Sequence, residues 1–566
     1  MKAACLGVAW VLSWLLLGCG RASVSSPRAA PWFEDITERS GLQFIHQVTL
    51  SGNYLISEQM GSGGAFLDYD NDGRLDIFLM HNVTPGAGAT NRLFHQEADG
   101  TFKDVSAGSG LEAAGWGNGV AVGDINNDGL PDLILAEYDR VRLFLNRGGG
   151  RFEDVTLAAG LVNPSWAVAV ALLDYDRDGW LDVVVANYLE MDPAVRCTDL
   201  KGEQDFCGPH RFPSTVARLF HNVTPRGAAG PVRFEDVTAR SGLARSPGKA
   251  MGLLCADFDG DHWPDIFVTD DGLPNRLFIN QRNGTFTEQA LVRGLAYPGM
   301  GRPASNMGVA LGDVDGDGLW DLFVPHLSEE NHTLWRQGPR GVFQDQTAAA
   351  GLAGLPWHGT GFAPVLADFD CNGALDLAIA NGLVRRRPTP TAVPVMPGLA
   401  PFWKPYAEPS QLFAGEGQGR FREISAVNPA FSGSAMVGRG LICGDVDNDG
   451  ALDLLVTSIA GPVRLCRNVA PRRGHWLIVR AQEPAHGNRD GYGAEITVHA
   501  GSRRWWRLVQ PGYGYGSSHD PRVHFGLGTA SNVEVIQVIW PDGNEETFPG
   551  GAVDRLVVLQ KGSGRK

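Results

Sequence analysis

One nine-residue acidic pattern, repeated along the chain, constrains the fold more than any other feature of this sequence. The pattern Asp-x-Asp/Asn-x-Asp-Gly-x-x-Asp occurs seven times, beginning at Asp68, Asp124, Asp174, Asp257, Asp313, Asp368 and Asp445. Two copies depart from it, since His262 replaces the turn glycine in the fourth copy and Asn372 replaces the third acid in the sixth. Regular self-similarity at such spacing predicts a repeat architecture.

Two further patterns alternate with the acidic one. A Phe-x-Asp-hydrophobic-Thr pattern or a degenerate form of it starts at Phe33, Phe102, Phe152, Phe234, Phe286, Phe343 and Phe421. An Arg-Leu-Phe-x-Asn pattern or a variant follows each acidic loop, with its leucine at Leu93, Leu143, Leu219, Leu277, Leu334, Leu412 and Leu465. Apolar, strand-like runs such as GVAVGD and LDIFLM flank the acidic loops. Each unit is therefore expected to be a four-stranded antiparallel sheet with the acidic loop between its first two strands.

These units predict an all-β fold, a seven-bladed β-propeller over residues 33–470. The chain begins with an unmatched outer-strand pattern, Phe33 to Thr37, and the last unit ends at its third strand, Val463 to Asn468. We expect these two segments to pair antiparallel and to close the ring. Residues 474–561 contain short alternating runs between Gly and Pro turns, which predict a small all-β C-terminal domain.

The acidic loops have the composition of calcium sites. Ca²⁺ prefers several oxygen ligands, and carboxylates this close together repel one another without a cation. The last acid falls at position nine rather than twelve, and strands flank the loop, so the loops are not EF-hands. Up to seven structural Ca²⁺ ions would add fourteen positive charges to the formal net charge of −15. The alternative, a tight turn without metal, is less credible for seven copies than for one. The predicted ligands are the side chains at positions one, three, five and nine and the carbonyl at position seven: Asp68, Asp70, Asp72, Arg74, Asp76; Asp124, Asn126, Asp128, Leu130, Asp132; Asp174, Asp176, Asp178, Trp180, Asp182; Asp257, Asp259, Asp261, Trp263, Asp265; Asp313, Asp315, Asp317, Leu319, Asp321; Asp368, Asp370, Asn372, Ala374, Asp376; and Asp445, Asp447, Asp449, Ala451, Asp453.

The motifs resemble a known family. The acidic loops are similar to those of FG-GAP repeats in the integrin α-chain propeller. The segment NRDGYGA from Asn488, VHFGLG from Val523 and WPDG from Trp540 look like the ASPIC/UnbV domain. Together they have the layout of the cartilage acidic protein family and its bacterial relatives. This resemblance implies calcium binding and an extracellular location.

The first 23 residues have the layout of a secretory signal, with one Lys followed by an apolar run. Leu16 to Cys19 resembles a lipobox, which predicts lipidation of Cys19 and a bacterial outer-membrane or cell-surface lipoprotein. The alternative is an ordinary cleaved signal and a secreted protein. An exported chain can form disulfides, and Cys197 and Cys207 lie in one polar loop, so we expect them to pair.

The sequence favours only a few classes of function. The net charge of −15 is unlike that of a nucleic-acid-binding protein, and membrane contact is expected only through a lipid anchor. Familiar catalytic motifs are missing, so we expect no enzyme. Two long insertions, at about 189–216 and 383–410, and the channel-mouth residues Trp116, Trp166 and Lys249 are the candidate ligand surfaces, although the channel-mouth side chains could instead fill the channel. The main hypothesis is a non-catalytic adhesion or recognition protein with an unknown protein or glycan ligand. The alternative is a carbohydrate-binding or carbohydrate-active propeller.

Overall fold

The computed structural model describes residues 30–199, 201–225, 230–387, 392–471 and 474–566. The predicted signal segment 1–23 and the lipidation site Cys19 lie outside these residues. In the described part of the chain, every helix is too short or too polar to cross a lipid bilayer.

Seven antiparallel sheets follow one another as blades, and each contains four strands in radial order from the inside to the outside. Blade 7 takes its outermost strand from β1, Phe33–Asp35. Blade 1 contains β2 Gly64–Leu67, β3 Asp76–Leu79, β4 Arg92–Gln96 and β5 Phe102–Asp104; blade 2 contains β6 Gly117–Gly123, β7 Asp132–Glu137, β8 Arg140–Asn146 and β9 Phe152–Asp154; blade 3 contains β10 Ala167–Leu173, β11 Asp182–Asn187, β14 Arg218–Asn222 and β15 Phe234–Asp236, with β12 Cys197–Thr198 and β13 Gln204–Asp205 in its insertion.

The remaining blades repeat this arrangement. Blade 4 contains β16 Ala250–Ala256, β17 Asp265–Asp270, β18 Arg276–Asn280 and β19 Phe286–Glu288; blade 5 contains β20 Ala310–Gly312, β21 Asp321–Val324, β22 Thr333–Gln337 and β23 Phe343–Asp345; blade 6 contains β24 Gly361–Ala367, β25 Asp376–Asn381, β26 Gln411–Gly417 and β27 Arg420–Glu423; blade 7 contains β28 Gly438–Gly444, β29 Asp453–Ser458 and β30 Arg464–Asn468. The α-helices are single turns: α1 Thr156–Ala159, α2 Thr238–Ser241, α3 Ala290–Arg293 and α4 Pro429–Ser432. Short 3-10 segments span Ile56–Gln59, Pro209–Arg211, Leu243–Arg245, Pro401–Tyr406, Ser425–Val427 and Pro484–His486.

The predicted antiparallel pairing of the first and last segments of the repeats is confirmed. Strand β1 pairs antiparallel with β30, with Phe33 opposite Asn468 and Asp35 opposite Cys466. The first and last segments of the propeller therefore complete one sheet.

The inner strands are buried on both faces because neighbouring blades cover them. All six residues of β11, DVVVAN, are buried, and its β-branched side chains suit a pleated surface packed from two sides. Close approach of the inner backbones accounts for some of the glycines: a Cβ on Gly119 would lie 2.6 Å from the Val168 carbonyl oxygen in the next blade.

The C-terminal residues form two further sheets. Their strands are β31 His475–Glu483, β32 Arg489–Asp490, β33 Glu495–Ala500, β34 Arg503–Leu508, β35 Gly512–Tyr513, β36 Ser517–Ser518, β37 Val523–Gly528, β38 Asn532–Ile539, β39 Glu545–Ala552 and β40 Arg555–Gln560. Strands β32, β31 and β37 form one sheet, in which β40 also pairs parallel with β31, and strands β34, β33, β38 and β39 form the other. The predicted all-β tail is thus present, and one of its short strands joins the propeller. Strand β36 pairs parallel with β2, with Gly64 opposite Ser517, and so extends the sheet of blade 1.

Candidate metal centres and the docked C-terminal domain

Each acidic loop lies where the sequence places it, between the first and second strands of a blade. In blade 1 the strand pairing ends at Leu67 opposite Asp76, and the loop closes that end. Gly73, at position six, has φ +87°, which is the reason for glycine there. His262 occupies the same position in blade 4 with φ +67°, a left-handed backbone that costs a side-chain-bearing residue free energy.

The ninth-position Asp ties each loop to its blade. In blade 1, Asp76 Oδ2 accepts a hydrogen bond from the Tyr69 amide at 3.2 Å, and Asp76 Oδ1 accepts one from the Gln96 amide at 2.8 Å. The same two kinds of donor, from loop position two and from the third strand, reach the ninth Asp of the other six loops: Asp132, Asp182, Asp265, Asp321, Asp376 and Asp453.

The first-position Asp shapes the turn. Asp68 accepts hydrogen bonds from the amides of Asp72 and Gly73, at 2.9 and 3.0 Å. The other first-position carboxylates accept the equivalent pair: Asp124, Asp174, Asp257, Asp313, Asp368 and Asp445. Backbone amides thus hold the first and ninth carboxylates of each loop in place.

Burial makes these carboxylates costly to ionise. It raises the pKa of Asp76 and of Asp321 to about 8 and that of Asp182 to about 7. Neighbouring carboxylates of the same loop raise these pKa values further. Within single loops, carboxylate oxygens of three Asp side chains come within 4.8 Å of one another: Asp68, Asp70 and Asp72 in blade 1; Asp174, Asp176 and Asp182 in blade 3; and Asp257, Asp259 and Asp265 in blade 4. Such clusters can hold a metal ion, and a bound cation would remove this cost.

Two histidines missed by the sequence analysis join the carboxylates. His95 Nδ1 lies 3.1 Å from Asp76 Oδ1, and His221 Nδ1 lies 3.1 Å from Asp182 Oδ1. The hydrogen bond and charge of Asp182 raise the pKa of His221. Each histidine lies immediately before the last residue of the Arg-Leu-Phe-x-Asn pattern. This position in the pattern was the sequence signal that could have identified both histidines.

The last residue of that third-strand pattern bridges two blades. Asn146 Nδ2 donates to the Tyr69 carbonyl in blade 1 at 2.8 Å and to the Pro131 carbonyl in its own loop at 3.2 Å. The pattern therefore encodes a connection between adjacent blades as well as a strand. The equivalent side chains that donate to the loop of the preceding blade are Gln96, Asn222, Asn280 and Asn468.

Fourth-position side chains link the loops in one direction around the ring. Asn448 Nδ2 donates to the Gly73 carbonyl at 3.1 Å, and Asn71 Nδ2 donates to the Gly129 carbonyl at 2.8 Å. Asn127 of blade 2 donates in the same way to a loop carbonyl of blade 3. Arg177 of blade 3 donates to the carbonyl of the sixth loop residue in blade 4. The series thus runs from blade 7 through blades 1, 2 and 3 to blade 4.

The C-terminal domain sits on these loops. Arg489 Nη1 donates to Asn127 Oδ1 in blade 2 at 3.0 Å, and Arg522 Nη1 donates to Asn448 Oδ1 in blade 7 at 2.6 Å. On the other side, the Trp505 indole N–H donates to the Gly373 carbonyl in blade 6 at 3.2 Å. The acidic loops are therefore the docking face for the C-terminal domain.

Residues 510–520 of that domain, here called the plug, fill the propeller channel. The Gly514 amide donates to the Val309 carbonyl in blade 5, at 3.0 Å. The Tyr515 ring meets the Phe362 ring of blade 6 edge-on at 5.0 Å, and Tyr515 is fully buried. Together with the pairing of β36 to β2, these contacts bring the plug to the inner strands on both sides of the ring.

The two insertions cover the opposite end of the channel, and their described parts (residues 189–199 and 201–216, and 383–387 and 392–410) are here called the cap. The structure contains the Cys197–Cys207 disulfide. Tyr406 donates its hydroxyl to Asp205 Oδ1 at 2.6 Å, and the Phe206 and Trp403 rings stack at 5.6 Å. Insertions from blades 3 and 6 thus pack on each other across the ring.

Two of the three expected ligand-binding residues are buried. Trp166 is only 3% exposed, because the rings of Tyr138 and Tyr188 pack edge-on against it at 5.3 and 5.2 Å. Lys249 is 7% exposed and donates its ammonium to the Pro209 carbonyl of the cap at 2.8 Å. The expectation that Trp166 and half-buried Trp116 form an exposed aromatic platform is therefore wrong, since Trp166 is a packing residue.

Comparisons with known proteins agree with this architecture. A family model described as FG-GAP-like repeat matches residues 68–135, 124–185 and 257–324, and one described as ASPIC and UnbV matches residues 484–566. Human Cartilage acidic protein 1 is 26% identical over 376 residues, 62% of this chain and 50% of the relative. The Xenopus tropicalis protein of the same name is 24% identical over 379 residues, 62% of this chain and 51% of the relative. The match thus spans about half the length of these relatives.

Solved structures show more distant likeness. An Agrocybe aegerita lectin that recognises non-reducing terminal N-acetylglucosamine has a TM-score of 0.37 and 16% identity, covering 66% of this chain and 82% of the lectin. The exotype rhamnogalacturonan lyase YesX has a TM-score of 0.35 and 13% identity, covering 72% of each chain. The chain therefore contains FG-GAP-like repeats and a C-terminal ASPIC and UnbV domain, and it is similar in sequence to cartilage acidic protein 1.

Proposed function

We propose that this protein is an exported, non-catalytic recognition protein at the cell surface, stabilised by up to seven structural Ca²⁺ ions and acting in adhesion or in the binding of a protein or glycan. The observation that carries the proposal is the position of the metal loops beneath the docked C-terminal domain. Ions at that interface hold two domains together, which is a structural task. The surface left for recognition is the cap at the other end of the channel.

Calcium suits the loops because each loop supplies hard oxygen donors. Asp, Asn and backbone carbonyl oxygens are its preferred ligands, and six to eight of them can surround it. The raised pKa values of the buried carboxyls mean that an empty loop destabilises the native state, so ion binding and folding are coupled. The carbonyls at position seven complete the proposed ligand set.

The cap suits recognition because it is an irregular surface on a rigid scaffold, the usual place for binding residues. Arg386 fixes it by donating to Glu203 Oε2 at 2.7 Å and to the Gln204 carbonyl at 2.8 Å. Arg385 and Lys404 remain exposed on it. These two cations make the cap a candidate contact surface on an otherwise acidic chain.

A binding screen tests the proposal. The purified protein is applied to a glycan array and to a library of extracellular proteins, with Ca²⁺ and with EDTA. We expect a Ca²⁺-dependent ligand whose affinity falls at least tenfold in the Arg385→Glu/Lys404→Glu variant. Lys103→Glu, which reverses an exposed charge on the outer strand β5, is the matched control. Equal affinity of both variants would contradict a role of the cap, and hits confined to glycans would favour the carbohydrate-binding alternative.

The lipid anchor is proposed on residues 1–23 and is tested separately. Cys19→Ser should move the protein from the membrane fraction to the soluble fraction of the producing cell. An unchanged distribution would show that Cys19 carries no anchor.

A further inference from the structure

One register on the third strand of each blade points into the metal loop. This position lies immediately before the last residue of the Arg-Leu-Phe-x-Asn pattern, the residue that bridges adjacent blades. Its identity differs from blade to blade: His95, Leu145, His221, Ile279, Arg336, Ala414 and Arg467. Where this residue is charged or polar, it reaches the third-position carboxylate of its own loop, as Arg467 Nε does at 2.7 Å from Asp447 Oδ2. Arg336 pairs with Asp315 in the same way.

In blades 1 and 3 the register supplies an imidazole with the spacing of a metal ligand. His95 Nδ1 lies 3.1 Å from Asp76 Oδ1 and 3.8 Å from Asp70 Oδ2. Donors around a tetrahedral zinc ion, each about 2.0–2.1 Å from it, lie roughly 3.3–3.5 Å apart. The two separations from His95 Nδ1 therefore lie on either side of the value expected around one shared ion, and all three donor atoms lie within 4.8 Å of one another.

Blade 3 repeats this geometry independently. His221 Nδ1 lies 3.1 Å from Asp182 Oδ1 and 3.6 Å from Asp176 Oδ2. The side chain of His221 is 15% exposed, so it is held against the loop rather than free in solvent.

A tyrosine at loop position two accompanies each of these histidines. The Tyr69 ring meets His95 edge-on at 5.7 Å, and the Tyr175 ring meets His221 edge-on at 5.6 Å. Position two is Ile, Phe or Val in the other five loops. Tyrosine and histidine thus occur together in two loops, where the ring fixes the imidazole toward the carboxylates.

We propose that the loops of blades 1 and 3 bind a divalent transition metal such as Zn²⁺, with the imidazole of His95 or His221 as nitrogen ligand beside the loop carboxylates. Imidazole is a good ligand for Zn²⁺ and a poor one for Ca²⁺, which selects oxygen. The loops of blades 2, 4 and 6 have an apolar residue at this register and so lack this nitrogen donor. The inference rests on the proposed metal-binding function of the loops and assigns two of the seven to a different ion.

Metal stoichiometry tests the proposal. The full-length protein, saturated with Ca²⁺, is titrated with Zn²⁺ by calorimetry, and bound Zn²⁺ is counted by elemental analysis after desalting. We expect two Zn²⁺ equivalents, none of which remains in His95→Gln/His221→Gln. The control is His499→Gln, which removes an exposed imidazole of the C-terminal domain. Co²⁺ should give the intense visible absorption of a low-symmetry site in wild type and lose it in the double variant.

The same samples separate this proposal from the calcium proposal. Retention of both Zn²⁺ equivalents in the double variant, or no Zn²⁺ in wild type, overturns the transition-metal assignment. Thermal stabilisation by Ca²⁺, measured in the double variant, reports on the five remaining loops. Its presence with loss of Zn²⁺ supports both proposals, whereas its absence in wild type overturns the calcium proposal alone.

Discussion

Asn146 offers the sharpest test of how adjacent blades are held together. Its side chain is completely buried between the loops of blades 1 and 2. Besides donating to the Tyr69 and Pro131 carbonyls, it accepts a hydrogen bond from the Gly148 amide at 2.9 Å. Asn146→Ala removes all three hydrogen bonds and leaves two carbonyls and one amide without this partner.

The expected loss follows from those three bonds. A typical buried hydrogen bond contributes about 1 kcal/mol net, and a partner left unpaired makes the loss larger. We therefore expect Asn146→Ala to lower the free energy of unfolding by about 3 kcal/mol. Asn280→Ala, which removes the equivalent bridge between blades 3 and 4, should cost a similar amount, and the two losses should add because the sites share no partners.

Urea denaturation in saturating Ca²⁺, followed by tryptophan fluorescence, measures the loss. Asn283→Ala is the control, because Asn283 lies in the exposed turn between β18 and β19 and its side chain accepts only from Thr285 nearby. Its cost should stay below about 1 kcal/mol. If Asn146→Ala costs no more than this control, the side chain does not join the blades and the reasoning fails.

Three further outcomes are expected. EDTA should lower the melting temperature substantially, and Asp313→Ala should remove one Ca²⁺ equivalent and leave the others; an unchanged melting curve would reject structural calcium. Tyr515→Ala should cost about 4 kcal/mol, as for other large buried aromatic rings, while Tyr515→Phe costs less than about 1 kcal/mol; equal costs would mean that the ring does not fill the channel. Burial raises the pKa of Glu495 to about 8 in the native state. Between the unfolded and the folded pKa, the native state holds a proton that the unfolded chain releases. The free energy of unfolding therefore falls as pH rises through this range. Relative to wild type, Glu495→Gln should gain up to about 1.4 kcal/mol per pH unit from about pH 5 to pH 8, measured by urea denaturation; a pH-independent difference would contradict the shift.

The repeated patterns predicted the propeller, because each marks one strand or loop. The pairing of Phe33 with Asn468 followed from an unmatched strand at each end of the repeats, and the carboxylate positions followed from the loop register. The docking of the C-terminal domain could not be predicted, since the plug strands β35 and β36 have two residues each, and β36 pairs with a strand about 450 residues away. The burial of Trp166 was also hidden, because Tyr138 and Tyr188, whose rings cover it, come from two blades that meet only in the folded ring. His95 could have been found from its register beside the loop.

The series of loop contacts does not run all the way round the ring. Backbone amide protons should therefore exchange with water more readily in some blades than in others. The series stops at blade 4 because position four is glycine in the next two loops, Gly260 and Gly316, which have no side chain to donate. There the C-terminal domain takes over: Trp506 stacks on Trp320 at 3.6 Å, and Trp505 holds the loop of blade 6. Amide exchange in blades 4 to 6 should therefore depend on domain docking much more than exchange in blades 7, 1, 2 and 3. Detachment of the C-terminal domain would open the ring first on that side.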